Sequence, residues 1–233
     1  MNCRIVVSHE IITAAATEFT LHSQAPMDDV RWDSHGDTKD KEMRALVVYE
    51  SIYGNTRDIA QAIGMGLGQG LSQFEVEVVE VGSAMGRAEE LADLLAVGGP
   101  TMMWGMSRNM SRNVARKQAR EQGSAPVSQG PGVREWLGLL DDVDGALAAA
   151  FDTRMRSRFP TGEAAGRIGS QLRKRGYSLA LPPEGFFVTG TDGPLADGEF
   201  ERAIAWGREL AAEAAPAIRD CELRRADATA RGR

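Results

Sequence analysis

The chain has few of the residues on which most enzymes rely for chemistry. Its three histidines, His9, His22 and His35, all precede Met43, and its two cysteines, Cys3 and Cys221, sit near opposite ends. From Met43 onward a Ser-His-Asp triad, a Cys-His pair and a histidine-ligated zinc site are therefore excluded. Two distant cysteines make no disulfide framework, which predicts a reducing, cytoplasmic setting. No run of about 18 apolar residues occurs, so no membrane span is expected. The faintly signal-like stretch from Cys3 to Leu21 is broken by His9, Glu10 and Glu18 and is not expected to act as one. A large excess of one charge is also missing. Residues 1–42 hold four Lys/Arg and eight Asp/Glu, a net of −4, and the remainder 23 and 25, a net of −2. A near-neutral main domain gives nucleic-acid binding no support.

Residues 1–42 are polar and weakly periodic and are read as a flexible extension, with Met43 as a possible true start. Residues 43–215 then read as one domain and 216–233 as a charged tail. Apolar runs predict strands at 44–49, 74–81, 94–98 and 145–151. A fifth follows near 186–189, with a weaker strand signal at 179–181. Between them fall helical patterns at 57–67, 87–92, 111–122 (Ser111 as N-cap, Gly123 as stop), 133–140, 162–175 and 199–214. Alternation of strand and helix predicts an α/β fold: a three-layer, doubly wound, five-stranded parallel sheet of order 2-1-3-4-5. Ligands of such sheets sit at the carboxyl ends of strands one and three. The glycines of Gly64-Met65-Gly66-Leu67-Gly68 follow a helix rather than a strand and predict a helix stop, not a dinucleotide fingerprint.

At the end of the first strand stands Ser51-Ile52-Tyr53-Gly54-Asn55-Thr56, directly before a helix. A helix start offers backbone N–H groups without internal partners, and its dipole favours an anion. Ser51, Tyr53 and Thr56 add hydroxyls, and Gly54 permits close approach. No lysine lies in or beside the six, so the triphosphate loop is absent and a terminal monophosphate fits better. Strand three leads into Gly99-Pro100-Thr101-Met102-Met103-Trp104-Gly105, where Trp104 at the rim suggests stacking on a flat ring.

On these residues the chain resembles the flavodoxin family over residues 44 to about 212. The resemblance is strongest at Val48–Ala60, Val97–Arg108, Phe151–Thr153 and Val188–Glu199. It implies flavin mononucleotide (FMN) as cofactor. Its phosphate would be wrapped by the first loop, Ser51 to Thr56, and its ring met by the loop after strand three, with Pro100, Thr101, Trp104 and the Gly105 peptide. The loop after strand four, Asp152 to Pro160, would supply Asp152 and the aromatic Phe159. Tyr53 stands where many flavodoxins carry threonine and is closer to flavodoxin-like quinone reductases. Family electron carriers surround the ring with acids. This chain instead has Arg108, Arg112, Arg116, Lys117 and Arg120 after strand three, and Arg154, Arg156 and Arg158 after strand four. Positive charge favours the anionic reduced ring, so a less negative potential and an acidic redox partner are expected. Met102, Met103, Met106 and Met110 are expected to be packing residues. An electron carrier is the leading reading, and an FMN-dependent NAD(P)H oxidoreductase acting on a quinone-like substrate the alternative. A phospho-receiver is excluded, because Glu50-Ser51, Gly98-Gly99-Pro100 and Thr189-Gly190 occupy the positions its acids and lysine need.

Overall fold

The computed structural model describes residues 43–70, 74–86, 92–103, 105–156 and 162–231. The strands are β1 (Met43–Tyr49), β2 (Phe74–Glu80), β3 (Leu94–Met102), β4 (Gly105–Met106), β5 (Leu147–Met155), β6 (Ser178–Leu179) and β7 (Glu184–Val188). The helices are α1 (Asn55–Gly70), α2 (Asn109–Glu121), α3 (Val133–Leu137), α4 (Ala164–Lys174) and α5 (Glu199–Arg231). The sheet runs β2-β1-β3-β5, and the last position is shared by β6 and β7, which both pair parallel to β5. This is the expected doubly wound order, with its fifth strand in two pieces. Pro182-Pro183 lies between the pieces, and proline cannot donate to a ladder. β4 is a short antiparallel arm folded back on β3.

β1 and β3 are buried on both faces, as strands under two helical layers must be. One face packs Val47, Leu94, Ala149, Phe151 and Phe186 against α1 and α5, where Trp206 meets Phe151 and Phe186 edge-on at 6.4 and 6.2 Å. The other packs Val48, Leu95, Val97 and Ala150 against α3 and α4. There the Trp136 indole donates to the Ala84 carbonyl at 3.2 Å.

Several expected boundaries move. β3 and β5 each run four residues further than their apolar cores, so Asp152, Thr153, Arg154 and Met155 are strand rather than loop. α1 does not stop at Gly64–Gly68 but continues to Gly70. Gly64 instead packs on β2, where a Cβ would come 2.6 Å from the Val78 side chain, and Gly66 faces α5: a Cβ on Gly66 would come 2.2 Å from the Ile204 carbonyl oxygen, and one on Gly207 would come 2.4 Å from that of Ile63. The two backbones touch, which only glycine allows. Ser111 is the third residue of α2 rather than its N-cap, and its hydroxyl reaches back to accept from the Arg108 N–H at 2.9 Å. α5 extends through Pro216 to Arg231, so residues expected as tail are helical. The expected helix at 87–92 lies almost wholly outside the described residues. Among the described residues no helix is long and apolar enough to cross a membrane.

Candidate functional site

A cleft of about 640 Å³ opens at the carboxyl edge of the sheet, between the ends of β1 and β3. The strand order reverses there, and crossover connections leave on opposite faces. Its floor is the loop from β1 to α1. Gly54 takes φ +101° and accepts the first helical bond, from the Asp58 N–H at 3.0 Å. Its own N–H goes to the Ser51 hydroxyl at 3.1 Å. Thr56 and Thr153 are both buried, and their hydroxyl oxygens lie 2.7 Å apart. One hydroxyl donates to the other, which leaves a proton at the floor for a ligand acceptor. Ser51, with two lone pairs and a rotating proton, can still donate as well.

The loop is clamped from below. Ser51 exchanges bonds with Ser128: its N–H donates to the Ser128 hydroxyl at 2.9 Å, and its carbonyl accepts the Ser128 N–H at 2.7 Å. Val127 adds a bond to the Ile52 carbonyl at 3.1 Å. The Arg116 guanidinium holds the Ser128 and Gly130 carbonyls at 2.9 and 2.5 Å. Arg112, 3% exposed, reaches the Ser107 hydroxyl at 3.0 Å and Glu135 at 3.0 Å. These two arginines are therefore buried tethers, not part of a basic rim. Arg108, Lys117, Arg120 and Arg156 are the exposed cations. Arg154 is partly buried and ion-paired with Asp152 and Glu163 at 3.3 and 3.4 Å.

α2 forms one wall. Met110, Ser111, Val114, Ala115 and Gln118 face the cleft, and Arg112, Arg116 and Ala119 face inward. The opposite wall comes from Val188, Gly190 and Thr191 after β7. Asn55 seals that corner by donating to the Asp192 carbonyl at 3.1 Å. The mouth is apolar: Met103, Met110, Val114 and Met155 are 81%, 78%, 64% and 52% exposed. Met103 and Met110 are thus rim residues and not the packing expected of them, whereas Met106 is buried.

Of the residues singled out from sequence, Ser51, Ile52, Tyr53, Asn55, Thr56, Pro100 and Thr101 line the cleft. Tyr53 leans on α2 and donates its hydroxyl to the Ala115 carbonyl at 3.2 Å. Gly54 shapes the loop from behind. Gly105 sits on β4, where a Cβ would meet the Arg167 Nε at 2.5 Å. Asp152 is fully buried and acts as a strut: it accepts from the Thr101 hydroxyl at 2.8 Å and from the Ala165 N–H at 2.9 Å. Burial, the largest influence, raises its carboxyl above the ordinary range despite those bonds and Arg154. Trp104, Phe159 and Arg158 lie outside the described residues. Sequence reasoning missed Thr153, Met155, Val188, Gly190, Thr191 and the α2 wall. The wall was readable, because residues 110, 111, 114, 115 and 118 share one helical face.

Glu50 is a second buried carboxylate. It precedes Ser51 and is 1% exposed. Its Oε2 accepts from the Ser107 hydroxyl at 2.7 Å and the Val133 N–H at 2.9 Å, while Oε1 has no partner among the described residues. Burial raises its carboxyl, against the Ser107 and Val133 bonds and Arg112, which lower it. Among the described residues no group of three His, Cys, Asp or Glu is placed to hold a metal.

The fold has known counterparts. A flavodoxin from the domain Archaea superposes with a TM-score of 0.51 at 22% identity, covering 74% of this chain and 99% of its own. The chain has the flavodoxin-like fold. Flavodoxin 1 from Bacillus cereus (TM-score 0.49, 20% identity, 72% and 96% covered) is also similar to this flavodoxin-like chain. So is a WrbA-like flavodoxin protein from Agrobacterium tumefaciens (0.47, 18%, 74% and 97%). No family model and no curated protein matches the sequence.

Proposed function

We propose that the protein binds FMN in this cleft and carries electrons through it. The observation that carries the reading is the floor: a helix start, the Ser51 hydroxyl and the buried Thr56–Thr153 pair converge where the strand order reverses, with no lysine beside them. That donor set fits one phosphate monoester. The volume falls in the usual range for small-ligand clefts, roughly 300–1,000 Å³, and the Ile52, Met102, Val114 and Ala115 side chains give the walls an apolar character suited to a flat ring. When bound, FMN would supply the redox chemistry, because the described residues offer no histidine and no metal cluster. The chain's own work is to bind the phosphate at Ser51 to Thr56, to exclude water with the α2 wall, and to present the ring at an open mouth. The exposed cations Arg108, just before α2, and Lys117 and Arg120 on it support an acidic redox partner. Among the described residues, Arg154 near the end of β5 and Arg156 just after it are the cations left beside that strand to favour a reduced anion; with Arg112 and Arg116 buried as tethers, the shift of potential rests on fewer charges than the sequence suggests.

A second reading, an oxidoreductase passing electrons from NAD(P)H to an apolar quinone-like substrate, is favoured by the four exposed apolar residues at the mouth. Purified protein should be yellow and should release FMN, not FAD, on heating. Mixing with NAD(P)H then separates the readings: an oxidoreductase bleaches within seconds, and a carrier needs a separate reductase.

A further inference from the structure

We propose that Glu50 is a proton-linked positioning residue: its carboxylate ties the cleft floor to α2 and α3, and it takes a proton from solvent when a phosphate monoester enters the adjacent loop. The inference rests on the phosphate-site reading above.

Glu50 is the hub of a buried network. Through Oε2 it holds Ser107, which in turn accepts from Arg112 on α2, and it holds the first N–H of α3. Gly132, just before α3, has no side chain because none fits: a Cβ there would lie 2.5 Å from both the Glu50 Oε2 and an Arg112 nitrogen. The charges that act on Glu50 are Arg112 and Arg116 on α2 and Glu135 on α3; Arg134 on α3 holds the Ser107 carbonyl beside it, and Glu80 at the end of β2 acts on Arg116. Arg57 and Asp58 at the start of α1 are paired with each other at 3.0 Å. The cations are already engaged: Arg112 with Ser107 and Glu135, Arg116 with two carbonyls, and Arg134 with the Ser107 and Met106 carbonyls. No hydrogen bond among the described residues reaches Oε1, which is the open position for a proton.

A phosphate dianion held by the residues that follow Glu50 adds a like charge to a carboxylate that burial already disfavours. Bound and free states then differ in proton content, and affinity must depend on pH in proportion. Between the free and bound values of Glu50, FMN affinity should rise up to about tenfold for each unit that pH falls. The ester's own second ionisation, at about pH 6, contributes an opposite effect that is the same in any Glu50 variant.

Calorimetric titration of the full chain with FMN, in buffers of different ionisation enthalpy, counts the protons directly. The wild type is expected to take up as much as about one more proton per FMN than E50Q, which keeps an acceptor for Ser107 and Val133 but has no acid to titrate. Riboflavin, which lacks the phosphoryl group, should show no such difference. S107A removes a donor that favours the ionised form, so it should move the uptake to higher pH; this variant carries the test if E50Q fails to fold. Equal proton counts in wild type and E50Q, an equal difference with riboflavin, or an unmoved profile in S107A overturns the proposal while leaving FMN binding intact. Failure of wild-type protein to bind FMN overturns both.

Discussion

At the scale of the residue, the two buried carboxylates decide most. Asp152 accepts from Thr101 and the Ala165 N–H, so D152A would strand two buried donors at about 1–3 kcal/mol each. A loss of about 2–6 kcal/mol is expected, read as a lower urea midpoint. The pH dependence has a definite sign. Burial raises both Glu50 and Asp152 in the folded chain. The folded state therefore holds protons that the unfolded state has released. Their contribution is fully present below the ordinary carboxylate range and is lost as pH rises through the raised folded values. Urea titrations from about pH 4 upward should show stability falling through that window, and E50Q or D152N should flatten the fall. Neither strut role was legible in sequence. The family resemblance places Asp152 at the ligand, and nothing local reveals that Thr101, fifty-one positions away, uses its carboxylate. In sequence, Glu50 stands out only as a residue that does not fit a phospho-receiver.

At the scale of the element, the strands and their order were legible because each buried strand is a short apolar run between turn residues. Their ends were not, since β3 and β5 continue through polar residues once neighbouring strands supply the ladder. Gly66 of α1 defeats the local rule for a related reason. Local rules make glycine a helix stop, but here α5 supplies the opposing backbone that makes it necessary. G66V and G207V should each cost more than about 4 kcal/mol or abolish folding, because main-chain atoms block the new side chain. L139A, at an exposed position, should stay within about 0.5 kcal/mol. Guanidinium denaturation of the variants checks both. The arginine row of α2 makes the same point: helical periodicity divides it into buried tethers and exposed cations, and the composition of the segment conceals that division.

At the scale of the whole molecule, the sheet places one polar floor and one apolar mouth at a single edge. The floor was readable from six consecutive residues, because a strand, a hydroxyl-rich turn and a helix are contiguous in the chain. The mouth was not, since Met103, Met110, Val114 and Met155 come from separate elements that meet only in the fold. V114E should leave stability within about 0.5 kcal/mol, the residue being exposed, while weakening docking of an apolar or acidic partner at the mouth. Comparison of reduction rates by one reductase for V114E and wild type, at equal FMN loading, measures that effect.

Titration of the purified apoprotein with FMN, followed by thermal unfolding, tests the central claim most directly. A one-to-one complex is expected, and at about a hundred times the dissociation constant it should add about 2.7 kcal/mol and raise the melting temperature by about 5–10 °C. A protein that stays colourless in excess FMN, with an unchanged melting temperature, would contradict the account.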